Sequence, residues 1–176
     1  QYVDGGAGRP WVLKAPHHLG YLSLLFKYFP DTTIAHCHRP PITTVASFCA
    51  LIGASRRNTS YRYSPEETGQ YILRIYRKRM DLYLADRSRL ETVHPFVDAR
   101  YERIVADAPA LIAECYAAAR IPLPAASAQA MRDWELGNAQ HKHGKHQYSL
   151  AEYGLTEADV TAAFAPYTAR FQKYLA

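Results

Sequence analysis

Arg39 and Ser47 are spaced to meet on one anion. They fall within His38-Arg39-Pro40-Pro41-Ile42-Thr43-Thr44-Val45-Ala46-Ser47. A strand-like run over residues 32–38 leads into the arginine, and a helix-like run over 42–52 carries the serine. The start of a helix adds backbone N–H groups and the positive end of its dipole. Arginine offers a fork of donors matched to phosphate oxygens, so a phosphate is the natural guest. Two further basic clusters stand at predicted element ends. Trp11-Val12-Leu13-Lys14-Ala15-Pro16-His17-His18 reads as a hydrophobic strand ending in Lys and His, and His141-Lys142-His143-Gly144-Lys145-His146-Gln147-Tyr148-Ser149 reads as a basic loop. In open parallel sheets ligands bind beyond the carboxyl ends of the strands, and three basic clusters at element ends could converge there on one polyanionic ligand.

The elements that must position these residues alternate. Strands are predicted at 11–13, 33–37 and 96–100. Helices are predicted at 19–29, 42–52, 64–89, 108–119, 126–136 and 157–174, with a polar loop over 53–63. Ser64-Pro65-Glu66-Glu67 is a helix start, with a capping Ser, Pro in the first position and acids in the first turn. The alternation implies an α/β chain built on a parallel sheet.

The chain has 176 residues, 48% of them hydrophobic, which suits one globular domain. Residues 1–10 read as a flexible lead-in and 11–176 as the domain. No apolar run approaches a membrane span, and no basic-then-apolar leader opens the sequence. The net charge of +5 fits anionic ligands but is too mild to imply nucleic acid. Cys37, Cys49 and Cys115, odd in number and unevenly placed, fit reduced, buried thiols of a cytoplasmic protein better than a disulfide framework. Fourteen tyrosines, many beside basic residues, are expected mostly on amphipathic helix surfaces, although such interleaving also stacks bases or an adenine ring.

Taken in order, these motifs resemble the PAPS-dependent sulfotransferases, in particular their bacterial branch. The Arg39…Ser47 pair resembles the family's 3′-phosphate signature. Lys14-Ala15-Pro16-His17-His18 is similar to its Lys-Ser-Pro-His-His segment, and Val97-Asp98-Ala99-Arg100-Tyr101-Glu102-Arg103-Ile104 to its Tyr-Glu-Asp-Leu strand. The loop Lys142-His143-Gly144-Lys145-His146-Gln147-Tyr148-Ser149, followed by a terminal helix, is the most distinctive match. The resemblance implies a P-loop NTPase-like parallel sheet flanked by helices. It also implies transfer of a sulfuryl group from PAPS (3′-phosphoadenosine-5′-phosphosulfate) to a small molecule bearing a hydroxyl or amine. Arg39 and Ser47 would hold the 3′-phosphate, Tyr101 would contact the adenine or 3′-phosphate region, and Lys142, Lys145 and His146 would close over the cofactor. Two departures stand out. Pro40 replaces the family's usual Asp or Asn after the arginine, which removes one capping interaction. The family's first strand and 5′-phosphosulfate loop have no counterpart, since Gly5-Gly6-Ala7-Gly8-Arg9-Pro10 lacks a preceding strand and a following helix. The chain therefore reads as a C-terminal portion, with the remainder in a missing N-terminal segment or a second chain.

Sulfuryl transfer needs a held donor, a charge sink at the leaving phosphate oxygen, a base and in-line geometry. Lys14 is the candidate sink. His17 and His18 are the candidate bases, because imidazole titrates near neutrality. Neighbours in an extended segment point to opposite sides, so one of them is expected to face the acceptor, and His17 is preferred. No metal is expected. His141, His143 and His146 have zinc-ligand types and spacing, but Lys142 and Lys145 between them oppose a divalent ion. In His36-Cys37-His38, a strand turns Cys37 away from both imidazoles. A non-catalytic nucleotide-binding or assembly module that keeps only the 3′-phosphate pocket is the alternative. A kinase-like P-loop NTPase is disfavoured, because no Gly-x-x-x-x-Gly-Lys-Ser/Thr loop and no magnesium carboxylate pair are present.

Overall fold

The structure is a computed structural model that describes residues 10–138 and 148–175. Two parallel strands, β1 (Ile34–His38) and β2 (Phe96–Arg100), lie side by side in the register Ile34↔Phe96 through His38↔Arg100. Parallel strands need a long crossover. Here it is made by α2 (Pro41–Thr59) and α3 (Pro65–Leu90), which pack on each other. Before β1 comes α1 (Leu22–Tyr28). After β2 come α4 (Tyr101–Ala106), α5 (Ala108–Ala118), α6 (Ala125–Gly137), α7 (Glu157–Ala163) and α8 (Ala165–Phe171).

The α/β architecture with helices flanking a parallel sheet is as expected, and β2 has the predicted limits. The start of α3 is also as read: the Ser64 hydroxyl accepts from the Glu67 N–H, Pro65 opens the helix, and Glu66 and Glu67 fill its first turn. Four local expectations change. Residues 11–13 form no strand. Trp11, Val12 and Leu13 are exposed, Val12 to 90%, and no second strand pairs with them among the described residues. Strand preference is realised only where a partner and a packed face exist. The predicted loop at 53–63 is helical as far as Thr59, because Gly53 serves close packing rather than breaking the helix: a Cβ there would meet the hydroxyls of Tyr63 and Tyr153 at 2.6 Å. The terminal helix divides at Phe164, where Pro166 opens a new one. The cysteines are free, but Cys37 is exposed, Cys115 half-buried and only Cys49 buried, because Cys37 takes the outer face of β1.

The core gathers Val45, Cys49, Ile72, Tyr83, Tyr153, Val160, Tyr167 and Phe171 from α2, α3, α7, α8 and the short turn of helix at Ala151–Tyr153. It lies on the side of the sheet faced by His36 and His38. Among the described residues, no helix is long and apolar enough to cross a membrane.

Candidate anion-binding site

Arg39 is the first residue beyond β1. The register that pairs His38 with Arg100 brings Arg39 beside Tyr101, the first residue of α4. The guanidinium carbon lies 4.4 Å from the Tyr101 ring centroid, a cation–π contact. Tyr101 was expected on the strand. It opens a helix instead, because β2 ends at Arg100 and passes directly into α4. Among the described residues no carboxylate pairs with the Arg39 guanidinium. Arg39 is half-buried.

The next residues start α2. Pro40 is its N-cap and makes no side-chain cap bond, as its replacement of Asp or Asn implies. The first turn of α2 carries no acid, so the helix dipole faces outward uncompensated. Thr44 donates from both its N–H and its hydroxyl to the Pro40 carbonyl, each at 3.1 Å, and ties the Pro40-Pro41 corner to the helix. Ser47 lies six residues after Pro41 on α2, about 9 Å along the axis, and is half-buried.

The other candidates are placed differently. Lys14 is exposed in the irregular stretch that precedes a single 3-10 turn, Pro16–His18. His17 and His18 belong to that turn rather than to an extended segment, so the opposite-sides argument does not apply to them. His17 is exposed and His18 half-buried, and neither caps α1, whose N-cap is Tyr21 without a side-chain bond. Among the described residues, no hydrogen bond or ion pair joins Lys14, His17 or His18 to Arg39 or Ser47. Lys142, Lys145 and His146, with His141 and His143, lie outside the described residues.

Directly behind Arg39 is a buried polar network that the sequence did not announce. His38 is 0% exposed. Its Nδ1 is 2.9 Å from the Tyr167 hydroxyl and its Nε2 is 2.9 Å from Asp98 Oδ1. Arg87 grips Asp98 with two bonds, Nη1 to Oδ1 at 3.1 Å and Nη2 to Oδ2 at 2.7 Å. It also donates to the Tyr83 hydroxyl at 3.1 Å and to Glu91 at 2.7 Å, with its guanidinium carbon 3.8 Å from the Phe96 ring centroid. Tyr83 in turn is 2.6 Å from His36 Nδ1. Having accepted from Arg87, the Tyr83 oxygen donates its own proton to His36.

Electrostatics follow from this packing. Burial above all, with the Arg87 charge, pushes His36 down to about 3, against an opposing pull from Asp98. Burial alone would raise the Asp98 carboxyl. Hydrogen bonds from His38 and Arg87, with the Arg87 charge, hold it well below the usual carboxylate range. Burial drives the Tyr167 and Tyr83 hydroxyls up, Tyr83 to about 12.

His36, His38 and Asp98 place potential ligand atoms within 4.8 Å of one another. The hydrogen-bond order speaks against a metal there. A metal on His36 Nε2 would leave Nδ1 as an N–H, and the Tyr83 hydroxyl, already accepting from Arg87, would lose its acceptor. The Arg87 cation bound to Asp98 also opposes a divalent ion. Cys37 points to the other face, as the strand geometry predicted.

Comparison with known proteins gives this arrangement a family. A sequence profile of the Sulfotransferase family matches residues 1–125. The chain belongs to that family. Two solved structures are similar in both fold and sequence. Sulfotransferase STF9 from Mycobacterium avium superposes with a TM-score of 0.78 and 29% identity, over 92% of this chain and 41% of that one. Sulfotransferase STF1 from Mycobacterium tuberculosis H37Rv gives 0.74 and 29%, over 90% of this chain and 40% of that one. The chain thus spans about two fifths of the length of these structures. No curated protein gives a significant match.

Proposed function

We propose that this chain contributes to sulfuryl transfer from PAPS to a hydroxyl or amine acceptor, with Arg39 and Ser47 holding the donor's 3′-phosphate. The observation that carries the reading is Arg39 itself. It leaves the carboxyl end of β1 at the start of a helix with no acid in its first turn, backed by Tyr101 and paired with no carboxylate among the described residues. These residues suit a phosphate: a fork of donors, a helix dipole of the right sign and no competing anion. Tyr101 flanks the same end and offers a ring edge to the adenosine.

In this reading Lys14 stabilises the negative charge that builds on the departing 5′-phosphate oxygen. As the acceptor forms its bond to sulfur and the sulfur–oxygen bond to the phosphate breaks, His17 or His18 takes the acceptor proton. Lys142, Lys145 and His146 cover the donor. No metal is required, because cationic side chains supply the stabilisation.

One observation favours the second reading, nucleotide binding without turnover. PAPS carries anions on both its 3′ and 5′ sides. Among the described residues the other strand-to-helix junction, β2 to α4, holds Glu102 in its first turn, with Arg100 3.7 Å away, and is no cradle for a 5′-phosphosulfate.

Calorimetric titration tests the site. The chain is expected to bind 3′-phosphoadenosine-5′-phosphate at least tenfold more tightly than adenosine-5′-phosphate, which corresponds to roughly 1.4 kcal/mol or more. Equal affinity for the two would remove the 3′-phosphate site.

A further inference from the structure

We propose that the Tyr167 hydroxyl, acting through His38, is the positioning device for Arg39, so that the C-terminal helix α8 sets selectivity for a 3′-phosphorylated nucleotide. The inference rests on the reading of Arg39 given above and adds to it Tyr167, 129 positions from His38 in sequence.

The geometry is a clamp on the last residue of β1. His38 is held edge-on by Tyr167 at Nδ1 and Asp98 at Nε2. Its ring is packed against Tyr174 at 4.8 Å between centroids and an interplanar angle of 11°, and against Phe171 at 4.5 Å. The Arg39 amide also lies against the Tyr167 hydroxyl and partly offsets its upward push. With His38 neutral, the protons have one consistent order. Tyr167 donates to His38 Nδ1, His38 Nε2–H donates to Asp98 Oδ1, and Asp98 accepts both bonds from Arg87. Reversing His38 would set an N–H against the tyrosine hydroxyl and a bare ring nitrogen against a carboxylate. The order fixes the tautomer and, with it, the ring and the strand end.

Arg39 starts from that fixed point. The rigid Pro40-Pro41 pair follows on one side, and Tyr101 lies beneath the guanidinium. Losing the Tyr167 hydroxyl would leave His38 Nδ1 unpaired in a closed site and free the strand end to turn. Orientation errors of about an ångström are enough to lose a directional contact. Tyr167 itself touches no ligand in this account. It acts only through His38 and the Arg39 backbone.

The test is a double-mutant cycle read as ligand selectivity. Tyr167→Phe keeps the ring among His38 and Phe171 and removes only the oxygen. Affinities of the wild-type chain, Tyr167→Phe, Arg39→Ala and the double variant are measured for 3′-phosphoadenosine-5′-phosphate and for adenosine-5′-phosphate. The expected result is a fall of about tenfold in the affinity ratio for Tyr167→Phe, with adenosine-5′-phosphate binding unchanged and no further fall in the Arg39→Ala background. A packing role alone would weaken both ligands together and leave the ratio intact. If Tyr167→Phe is too unstable, His38→Gln takes its place, since its amide N–H keeps a donor for Asp98 while no acceptor stands at the position of Nδ1. An unchanged ratio, or effects of the two variants that multiply, overturns the positioning role while the Arg39 reading stands. An unchanged ratio in Arg39→Ala overturns both. Stoichiometric metal lost from His36→Asn or His38→Gln overturns the proton order on which the clamp depends.

Discussion

The Arg39 guanidinium carbon sits 4.4 Å from the ring centroid of Tyr101, and the cause is strand register. His38 pairs with Arg100, so the two residues that follow leave parallel strands side by side. An arginine stacked on an aromatic face keeps its edge donors free for an anion while losing conformational freedom in advance. Tyr101→Leu should therefore loosen Arg39 without removing it. The expected loss is about 0.5–1 kcal/mol, a few-fold weaker binding of 3′-phosphoadenosine-5′-phosphate by calorimetry. A loss as large as that of removing Arg39 would assign Tyr101 a direct role instead.

Acid should weaken the fold through two buried groups. His36 is held down to about 3, so between that value and the ordinary imidazole range near 6.5 the unfolded chain binds a proton that the folded chain refuses. Asp98 is also depressed, and its contribution is present above the ordinary carboxylate range and lost below it. Both signs agree: stability is full above about pH 6.5 and declines steadily toward pH 3. The share of His36 is on the order of 2–4 kcal/mol, allowing for its being half-buried rather than closed off. Urea unfolding at a series of pH values checks this, with His36→Asn expected to flatten the slope between about pH 6 and pH 4. Parallel slopes for the two chains would contradict it.

Gly69 lies on α3 where the backbone of Tyr153 crosses it, and a Cβ there would fall inside the carbonyl oxygen of Tyr153. Backbone moves less readily than a side-chain tip, so Gly69→Ala should destabilise by about 3 kcal/mol. At Gly137, near the end of α6, nothing lies within 4 Å of an added Cβ. Gly137→Ala should be neutral or stabilising by up to about 1 kcal/mol. Chemical unfolding of the two variants distinguishes the positions, and equal effects would contradict the close approach at Gly69.

The parts of this fold that were legible are those whose signals are local. The cap, proline and acids at residues 64–67 announce α3, and β2 has a clear strand run. Residues 11–13 carry an equally good strand run, but pairing is not a local property. Arg87 shows why the network was missed: among Arg74, Arg77, Arg79, Arg87 and Arg89 on one helix, nothing in sequence marks the one that turns inward. The alternation of His36 and His38 was the available signal. It placed both rings on one face, and only the register His36↔Asp98 reveals the carboxylate waiting there. Arg39 and Ser47 stood out because strand end, helix start and residue type coincide within nine residues.

Arg39 is the residue on which 3′-phosphate binding depends most directly in this proposal, and titration of Arg39→Ala with 3′-phosphoadenosine-5′-phosphate tests it. One charge-assisted contact to a phosphate is worth about 2–3 kcal/mol, so affinity should fall roughly tenfold to a hundredfold while adenosine-5′-phosphate binds as before. Unchanged affinity for the bisphosphate, in a chain that otherwise binds it, would contradict the assignment of this strand end as the 3′-phosphate site.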